Sequence, residues 1–357
     1  MRAPSFILFA LLAFCPLPFL QAQTPPASPG DRIQLQFNTT EAEAVLGIVS
    51  KHAVGTTIAE ADWQGLFGTE PYIRLKKREA SMHRDFTEED FKKFVLSPDL
   101  AGTAPALRRT LDAWKKADLN ASATRVLAYL PDQAVIHAKV FPVIKPKTNS
   151  FVFDTQTDPT IFLYLDPEES AAKFESTVAH ELHHIGYSSV APVAEARQKD
   201  VPADAKEAVE WMGAFGEGFA MLAAAGGPDV DPHAASSAKE HARWDHDLAN
   251  FNNDLDAVQK FFLDLIDKRL TDKDKIDERA SVFFGDAQGA WYTVGYKMAV
   301  IVEKRFGRKV LIDCMLDPRE LLERYNAAAG ESNQHGQEEL ATWSPELLGK
   351  IRERQAP

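Results

Sequence analysis

Two histidines, His180 and His184, lie one helical turn apart, and Glu181 directly follows the first of them. At about 100° per residue, side chains four positions apart lie about 40° apart on one helix face, so both imidazoles can reach a single ion. Glu181 lies beside this face, where its carboxylate can reach a metal-bound water without binding the metal. The spacing predicts a zinc ion, with Glu181 as the general base of a hydrolytic reaction.

His183 introduces an ambiguity, because it is also a helix neighbour of His180, three positions away. It points away from the side that His184 and Glu181 share. We therefore interpret it as a residue that packs behind the ligands or orients them. A helix whose three histidines only pack or face solvent is the alternative interpretation.

A catalytic zinc normally takes three protein ligands and keeps one position open, so two histidines do not complete the site. No third histidine closely follows His184, and a later carboxylate is the other common solution. The glutamates considered are Glu195, Glu207, Glu210, Glu217 and Glu240. Glu217 alone lies in a strongly apolar segment, residues 211–222, where a carboxylate is costly to bury unless it meets a cation or strong donors. We predict Glu217 as the third ligand.

Two alternatives to this assignment stay open. Glu210 lies one heptad before Glu217, on the same side of a continuous helix, and is kept as a supporting carboxylate or reserve ligand. Glu217 could instead be a buried glutamate paired with Arg197 or Arg243. The glycines at 213, 216 and 218 would let this helix closely approach the helix that carries the histidines.

These motifs resemble the gluzincin zinc metallopeptidases. Aminopeptidase N-like members carry an H-E-x-x-H helix and then a helix containing E-G-F-A, which matches residues 217–220. Residues 291–296 resemble their Y-x-x-G element, in which the tyrosine hydroxyl steadies the oxyanion. The longer pattern is similar to a bacterial family described only as zinc-dependent peptidases. The resemblance implies bound Zn²⁺, a peptide or protein substrate, and Tyr292 as the oxyanion donor.

Other residues remain as alternatives for the oxyanion donor. Tyr296 lies one turn after Tyr292 on the same apolar helix, and core packing alone would explain either tyrosine. His241 and His246 are five residues apart and face different ways on a helix. We interpret them as solvated or oxyanion-side histidines rather than as a second metal site.

The chain also contains segments that position these motifs or direct the protein to its compartment. Residues 1–22 combine Arg2 with a short apolar run and end at Ala22, which predicts a signal peptide, a secreted or periplasmic protein, and no membrane span after signal removal. The segments that follow are a polar leader (23–35), a helical N-terminal part (36–130), a small sheet with the active-site helix (131–190) and a helical C-terminal part with the third ligand (191–357).

The elements expected within these segments are helices and a small sheet. Helical spacing covers residues 38–50, with Thr40 placed to cap, and a later helix is expected to run from Asp166 to Ile185. Pro98 and Pro105 are expected to punctuate between helices. Three strands are predicted, at Ala138–Ile144, Ser150–Asp154 and Thr160–Leu165. The last of these strands is predicted to pair edgewise with an extended peptide substrate. Loops are expected near residues 191–204, 226–232 and 285–289.

Composition narrows the function classes. The 357 residues include 40 Lys and Arg against 52 Asp and Glu, for a formal net charge of −12, which excludes nucleic acid as an expected partner. Two cysteines exclude a disulfide framework. The motifs and the resemblance that they carry lead us to predict a secreted α+β, mainly α, gluzincin-like zinc peptidase. The alternatives are a non-catalytic helical binding protein with a structural or vestigial zinc, and a zinc hydrolase of non-peptide amides or esters.

Overall fold

The computed structural model describes residues 31–285, 288–336 and 339–352. The predicted signal peptide lies outside the described residues and stays a prediction, and the same holds for most of the polar leader. The described part is mainly helical with a small mixed sheet, as predicted from the sequence. None of the helices in the described ranges is long and apolar enough to cross a membrane.

The chain divides into two compact units. The first contains the described residues up to Ala123 together with Val135–Ile185, and the second contains Thr124–Ala134 and the described residues from Gly186 onward. Two helices, α6 (Leu119–Leu127) and α7 (Ala171–Ser188), contribute residues to both. The remaining helices of the first unit are α1 (Thr40–Ala53), α2 (Glu60–Phe67), α3 (Glu70–Ser81), α4 (Glu88–Val95) and α5 (Pro98–Trp114).

The sheet of the first unit has four strands, β1 (Ile33–Phe37), β2 (Ile136–Val143), β3 (Phe151–Phe153) and β4 (Thr160–Tyr164), in the order β1-β2-β4-β3. The pairs β1–β2 and β2–β4 are parallel, and β3 is antiparallel to β4. The three predicted strands are confirmed. The strand β1 was missed, although its alternating apolar and polar residues have the period of a half-exposed strand.

The predicted use of the last strand as a docking edge is wrong. The strand β4 lies between β2 and β3, so both of its edges are already paired within the sheet. The strands at the two edges are β1 and β3. Among the strands of the described sheet, an added peptide strand would therefore have to pair with one of these two.

Aromatic and aliphatic side chains hold the first unit together. A buried cluster contains one phenylalanine from each of three strands, with Leu75 from α3. These are Phe141 of β2, Phe151 of β3 and Phe162 of β4. Trp114 at the end of α5 stacks on Phe174 of α7, with ring centroids 4.2 Å apart and an interplanar angle of 13°. This contact fixes α5 against the first part of α7, the helix that carries the histidines.

Several predicted helix boundaries need correction. The helix α1 begins at Thr40, so Thr40 is its first residue and not its cap. The side-chain oxygen of Asn38 accepts from the Thr40 backbone N–H at 3.0 Å. The helix α7 begins at Ala171 and not at Asp166, since the Ser170 hydroxyl accepts from the Lys173 N–H at 3.1 Å and caps it. Pro105 lies inside α5 instead of ending a helix.

The second unit is helical throughout its regular elements. Its helices are α8 (Ala191–Arg197), α9 (Lys206–Met212), α10 (Gly216–Ala225), α11 (Ala238–Ala249), α12 (Phe251–Ile266), α13 (Lys273–Val282), α14 (Ala290–Phe306), α15 (Arg308–Leu316), α16 (Pro318–Gln334) and α17 (Pro345–Lys350). The helix α8 occupies much of the predicted loop at 191–204. The loop predicted after α10 is confirmed, because Gly226, with φ of +93°, ends that helix.

Candidate metal centre

The helix α7 carries the motif that the sequence singled out. Its histidines converge, because Nε2 of His184 lies 3.1 Å from Nε2 of His180. Two nitrogens bound to one tetrahedral zinc at about 2.05 Å lie about 3.3 Å apart, so this separation suits a shared ion. His180 is buried and His184 is half-buried. The i, i+4 spacing thus produces the geometry that was expected of it.

The other polar residues of the motif are buried beside this pair. Glu181 is 1% exposed, and so is His183. The ring of His183 lies edge-on to that of His184, with centroids 6.1 Å apart. His183 does not belong to the group of potential ligands described below, and its role beside that group stays a prediction.

Glu217 lies just after an interruption between two helices. The helix α9 ends at Met212, a 3₁₀ turn covers Gly213–Phe215, and α10 follows with Glu217 as its second residue. The Glu217 side chain is 4% exposed among apolar neighbours of α10. A carboxylate at this depth requires a cation or strong donors.

His180, His184 and Glu217 form a group that could hold a metal ion. Each residue offers one ligand atom, and these atoms all lie within 4.8 Å of one another. Two imidazole nitrogens and one carboxylate oxygen are a donor set that zinc accepts, and three protein ligands leave a fourth position for water. The donor chemistry and the spacing of the histidine nitrogens both fit zinc.

Glu210 is not a member of this group. Its carboxylate is exposed and lies 3.9 Å from Nζ of Lys206, one turn earlier in α9. Glu210 and Glu217 would lie on the same side only if residues 210 to 217 formed one continuous α-helix. The intervening 3₁₀ turn has three residues per turn instead of 3.6, so it changes the direction in which later side chains point.

The two tyrosines lie on α14 and are both buried, at 5% exposure for Tyr292 and 8% for Tyr296. The Tyr296 ring packs edge-on against Trp244 of α11, with centroids 5.2 Å apart. Burial raises the pKa of Tyr296 to about 12, so its hydroxyl stays protonated at neutral pH. Either tyrosine could serve as a hydrogen-bond donor, and the preference for Tyr292 stays a prediction.

His241 and His246 lie outside the metal-binding group. Nε2 of His241 lies 2.8 Å from a carboxylate oxygen of Asp231, and this hydrogen bond raises the pKa of His241. His246 is exposed and lies 3.1 Å from Asp247. Both histidines thus have carboxylate partners, and their role stays a prediction.

His233 was not predicted as a site residue from the sequence. This residue is 3% exposed, its ring packs against Trp244 at 4.8 Å, and its Nδ1 lies 2.9 Å from the Ser236 hydroxyl. An isolated histidine in a loop offers no spacing signal. Its burial beside the aromatic pair of Trp244 and Tyr296 is visible only in three dimensions.

Comparison with known families decides the broad classification. Residues 63–334, more than half of the chain, match the family described as "Putative zinc dependent peptidase (DUF5700)". The chain belongs to this family. No curated protein and no solved structure matches it. The prediction of a zinc-peptidase family is confirmed at this level, whereas the likeness to gluzincins and to aminopeptidase N stays a prediction.

Proposed function

We propose that this protein is a zinc-dependent peptidase in which His180, His184 and Glu217 hold the ion and Glu181 is the general base. The observation that carries the proposal is the grouping of three ligand atoms within 4.8 Å, with Glu181 adjacent to the first ligand on α7. Family membership supports the same activity at a coarser level.

The chemistry divides between the ion and the chain. A zinc ion held by His180, His184 and Glu217 would supply Lewis acidity and would lower the pKa of the attacking water from its bulk value toward about 7. The Glu181 carboxylate accepts the proton of the attacking water and then delivers it to the leaving amine. The Tyr292 hydroxyl donates a hydrogen bond to the oxyanion that develops on the substrate carbonyl.

An extended peptide is the substrate class that the sheet suits best. The strand β3 is an edge of the sheet in the first unit, which also contains the histidines of α7. A peptide that adds to an edge strand is bound through its backbone, so varied side chains are tolerated. We propose that an edge strand, β1 or β3, receives the substrate in place of β4. Secretion through the predicted signal peptide would place this activity outside the cytoplasm.

The decisive experiment uses Glu181→Gln, which keeps the size of the side chain but removes the base. Purified variant and wild type are compared for zinc content and for cleavage of a mixed peptide pool, followed by mass spectrometry. We expect unchanged zinc and a loss of peptide cleavage of about 10²- to 10⁴-fold. Glu41→Gln is the matched control, because Glu41 is also fully buried but lies outside the metal-binding group.

The same assay distinguishes the alternatives. Full turnover by Glu181→Gln would disprove the role of Glu181 as base. A wild-type protein that binds zinc and hydrolyses simple esters or amides but no peptides would be a hydrolase of another class. A protein that binds zinc and hydrolyses none of these substrates would be a binding protein.

A further inference from the structure

The helices α10 and α14 cross with their backbones in contact. A Cβ atom placed on Gly218 would lie 2.0 Å from the Tyr296 backbone nitrogen and 2.3 Å from the Gly295 carbonyl carbon. A Cβ atom on Gly295 would lie 2.6 Å from the Phe215 carbonyl oxygen and 3.1 Å from its Cα. These neighbours are all backbone atoms, so no side chain can rotate away to make room.

This crossing lies next to the residues proposed for chemistry. Glu217 directly precedes Gly218, and Tyr292 lies three residues before Gly295. At about 1.5 Å of rise per residue, both side chains start within about 5 Å of the crossing along their helix axes. Because backbone meets backbone, the separation of the helices does not depend on compressible side chains, as it does at ordinary separations of about 8–10 Å.

Two other glycines of the same segment lack this constraint. Cβ atoms placed on Gly213 and Gly216 would have no atom within 4 Å. Both residues have right-handed helical backbone angles, with φ of −57° and −52°, which alanine adopts readily. The predicted close approach therefore occurs at Gly218 alone of the three, and the contact that defines it is with α14.

We infer that Gly218 and Gly295 are positioning residues that set the Glu217 carboxylate for zinc. This inference rests on the proposed zinc site. A methyl group at Gly295 would push away Phe215, which lies two residues before Glu217, and would rotate or shift the start of α10. Metal ligation tolerates displacements of only about 0.2 Å, so such a shift reduces zinc affinity.

The test measures zinc affinity by chelator competition for four variants and the wild type. We expect Gly295→Ala to weaken zinc binding at least tenfold. The matched control Gly216→Ala adds the same methyl group one residue from Glu217 and should change the affinity less than twofold. The double variant Gly295→Ala/Glu217→Ala should bind zinc within twofold of Glu217→Ala alone, because the glycine acts through the carboxylate.

A second measurement on the wild-type chain covers the case in which Gly295→Ala does not fold. Added zinc should slow amide hydrogen exchange across residues 290–299 in the wild type, because ligation of Glu217 immobilises the crossing. The same zinc should leave exchange there unchanged in Glu217→Ala. Exchange is compared at a zinc concentration that also saturates Glu217→Ala, so protection that persists in that variant would show that the crossing responds to zinc without Glu217 and would overturn the positioning role.

The outcomes separate the two levels of the proposal. A wild-type protein that binds no zinc, or a Glu217→Ala variant that binds it as tightly as wild type, would disprove the zinc site itself. Intact binding through Glu217, combined with wild-type affinity in Gly295→Ala, would overturn the positioning role alone. With Gly295→Ala unfolded, unchanged hydrogen exchange on adding zinc to the wild type would overturn that role as well.

Discussion

Each of the two units buries a glutamate and a tyrosine, yet only one of these pairs is proposed for chemistry. The first unit buries Glu41 on α1 and Tyr72 on α3, and the second buries Glu217 on α10 and Tyr292 on α14. All four side chains are at most 5% exposed. Burial alone therefore does not identify a functional residue, and the neighbours of each group must decide.

Glu41 is held as an acid and not as a ligand. Its Oε2 accepts from the Ile144 backbone N–H at 3.0 Å, and burial raises the pKa of Glu41 from its ordinary 4.5 to about 8. The charged group that acts on it is Lys145, whose own pKa burial lowers to about 7. A carboxyl group that keeps its proton near neutral pH is a poor metal ligand.

Glu217 is also deeply buried, but different groups surround its carboxylate. Two histidine ring nitrogens lie within 4.8 Å of its carboxylate oxygen, and they offer a shared ion in place of a proton. An ion between these groups would compensate the cost of burying the charged carboxylate. A buried glutamate thus becomes a candidate ligand only through the donors that surround it.

The largest expected effect is on the pH dependence of the unfolding free energy, through Glu41. A folded-state pKa above the ordinary value means that Glu41 stabilises the fold fully below about pH 4.5, and that this contribution is lost as pH rises toward 8. Glu41→Gln mimics the protonated form and does not titrate. Relative to wild type, the variant should gain about 2.5 kcal/mol in unfolding free energy between about pH 5 and pH 7.

Chemical denaturation at a series of pH values measures this difference. Glu43→Gln on the same helix is the control, since Glu43 is exposed and a hydrogen bond from Lys115 lowers its pKa, so the same gain is not expected. Parallel wild-type and Glu41→Gln stability curves across this range would show that Glu41 is ionised when folded. The contrast with Glu217 would then disappear.

A smaller effect is expected at Tyr292, which we compare with Tyr296 and Tyr72. Tyr292→Phe should slow peptide cleavage at least tenfold, which corresponds to about 1.4 kcal/mol, and should lower kcat more than it raises KM, because the oxyanion forms only in the transition state. Tyr296→Phe should have a smaller effect. Tyr72→Phe should leave cleavage unchanged and stability equal or higher, because the Tyr72 hydroxyl is buried with no hydrogen-bond partner among the described residues.

Steady-state kinetics and thermal unfolding of these variants decide between them. If Tyr296→Phe slows cleavage more than Tyr292→Phe, the donor is Tyr296. If neither variant slows cleavage, the oxyanion donor lies elsewhere, and His241 or His246 is tested next. A slow Tyr72→Phe variant would mean that the first tyrosine also serves the reaction.

Local signals in the sequence predicted most of the fold and part of the site. The approach of the His180 ring to the His184 ring and the three predicted strands depend on short periodic patterns, and the structure contains both. The interior position of β4 was missed, because strand order is a long-range property. The direction of Glu210 was mistaken, because a 3₁₀ turn of three residues interrupts the helical register and carries no clear sequence signature. The burial of His233 was also missed, because it depends on tertiary packing.

The zinc content of Glu217→Ala beside that of Glu210→Ala tests the proposed metal site most directly. Both substitutions remove a glutamate from the same segment, but one carboxylate is buried with the histidines and the other is exposed beside Lys206. After dialysis against limiting chelator, we expect about one zinc per chain in wild type and Glu210→Ala, and much less in Glu217→Ala. Full zinc in Glu217→Ala would contradict the assignment of this ligand, and a loss in Glu210→Ala beside it would identify Glu210 as the ligand instead.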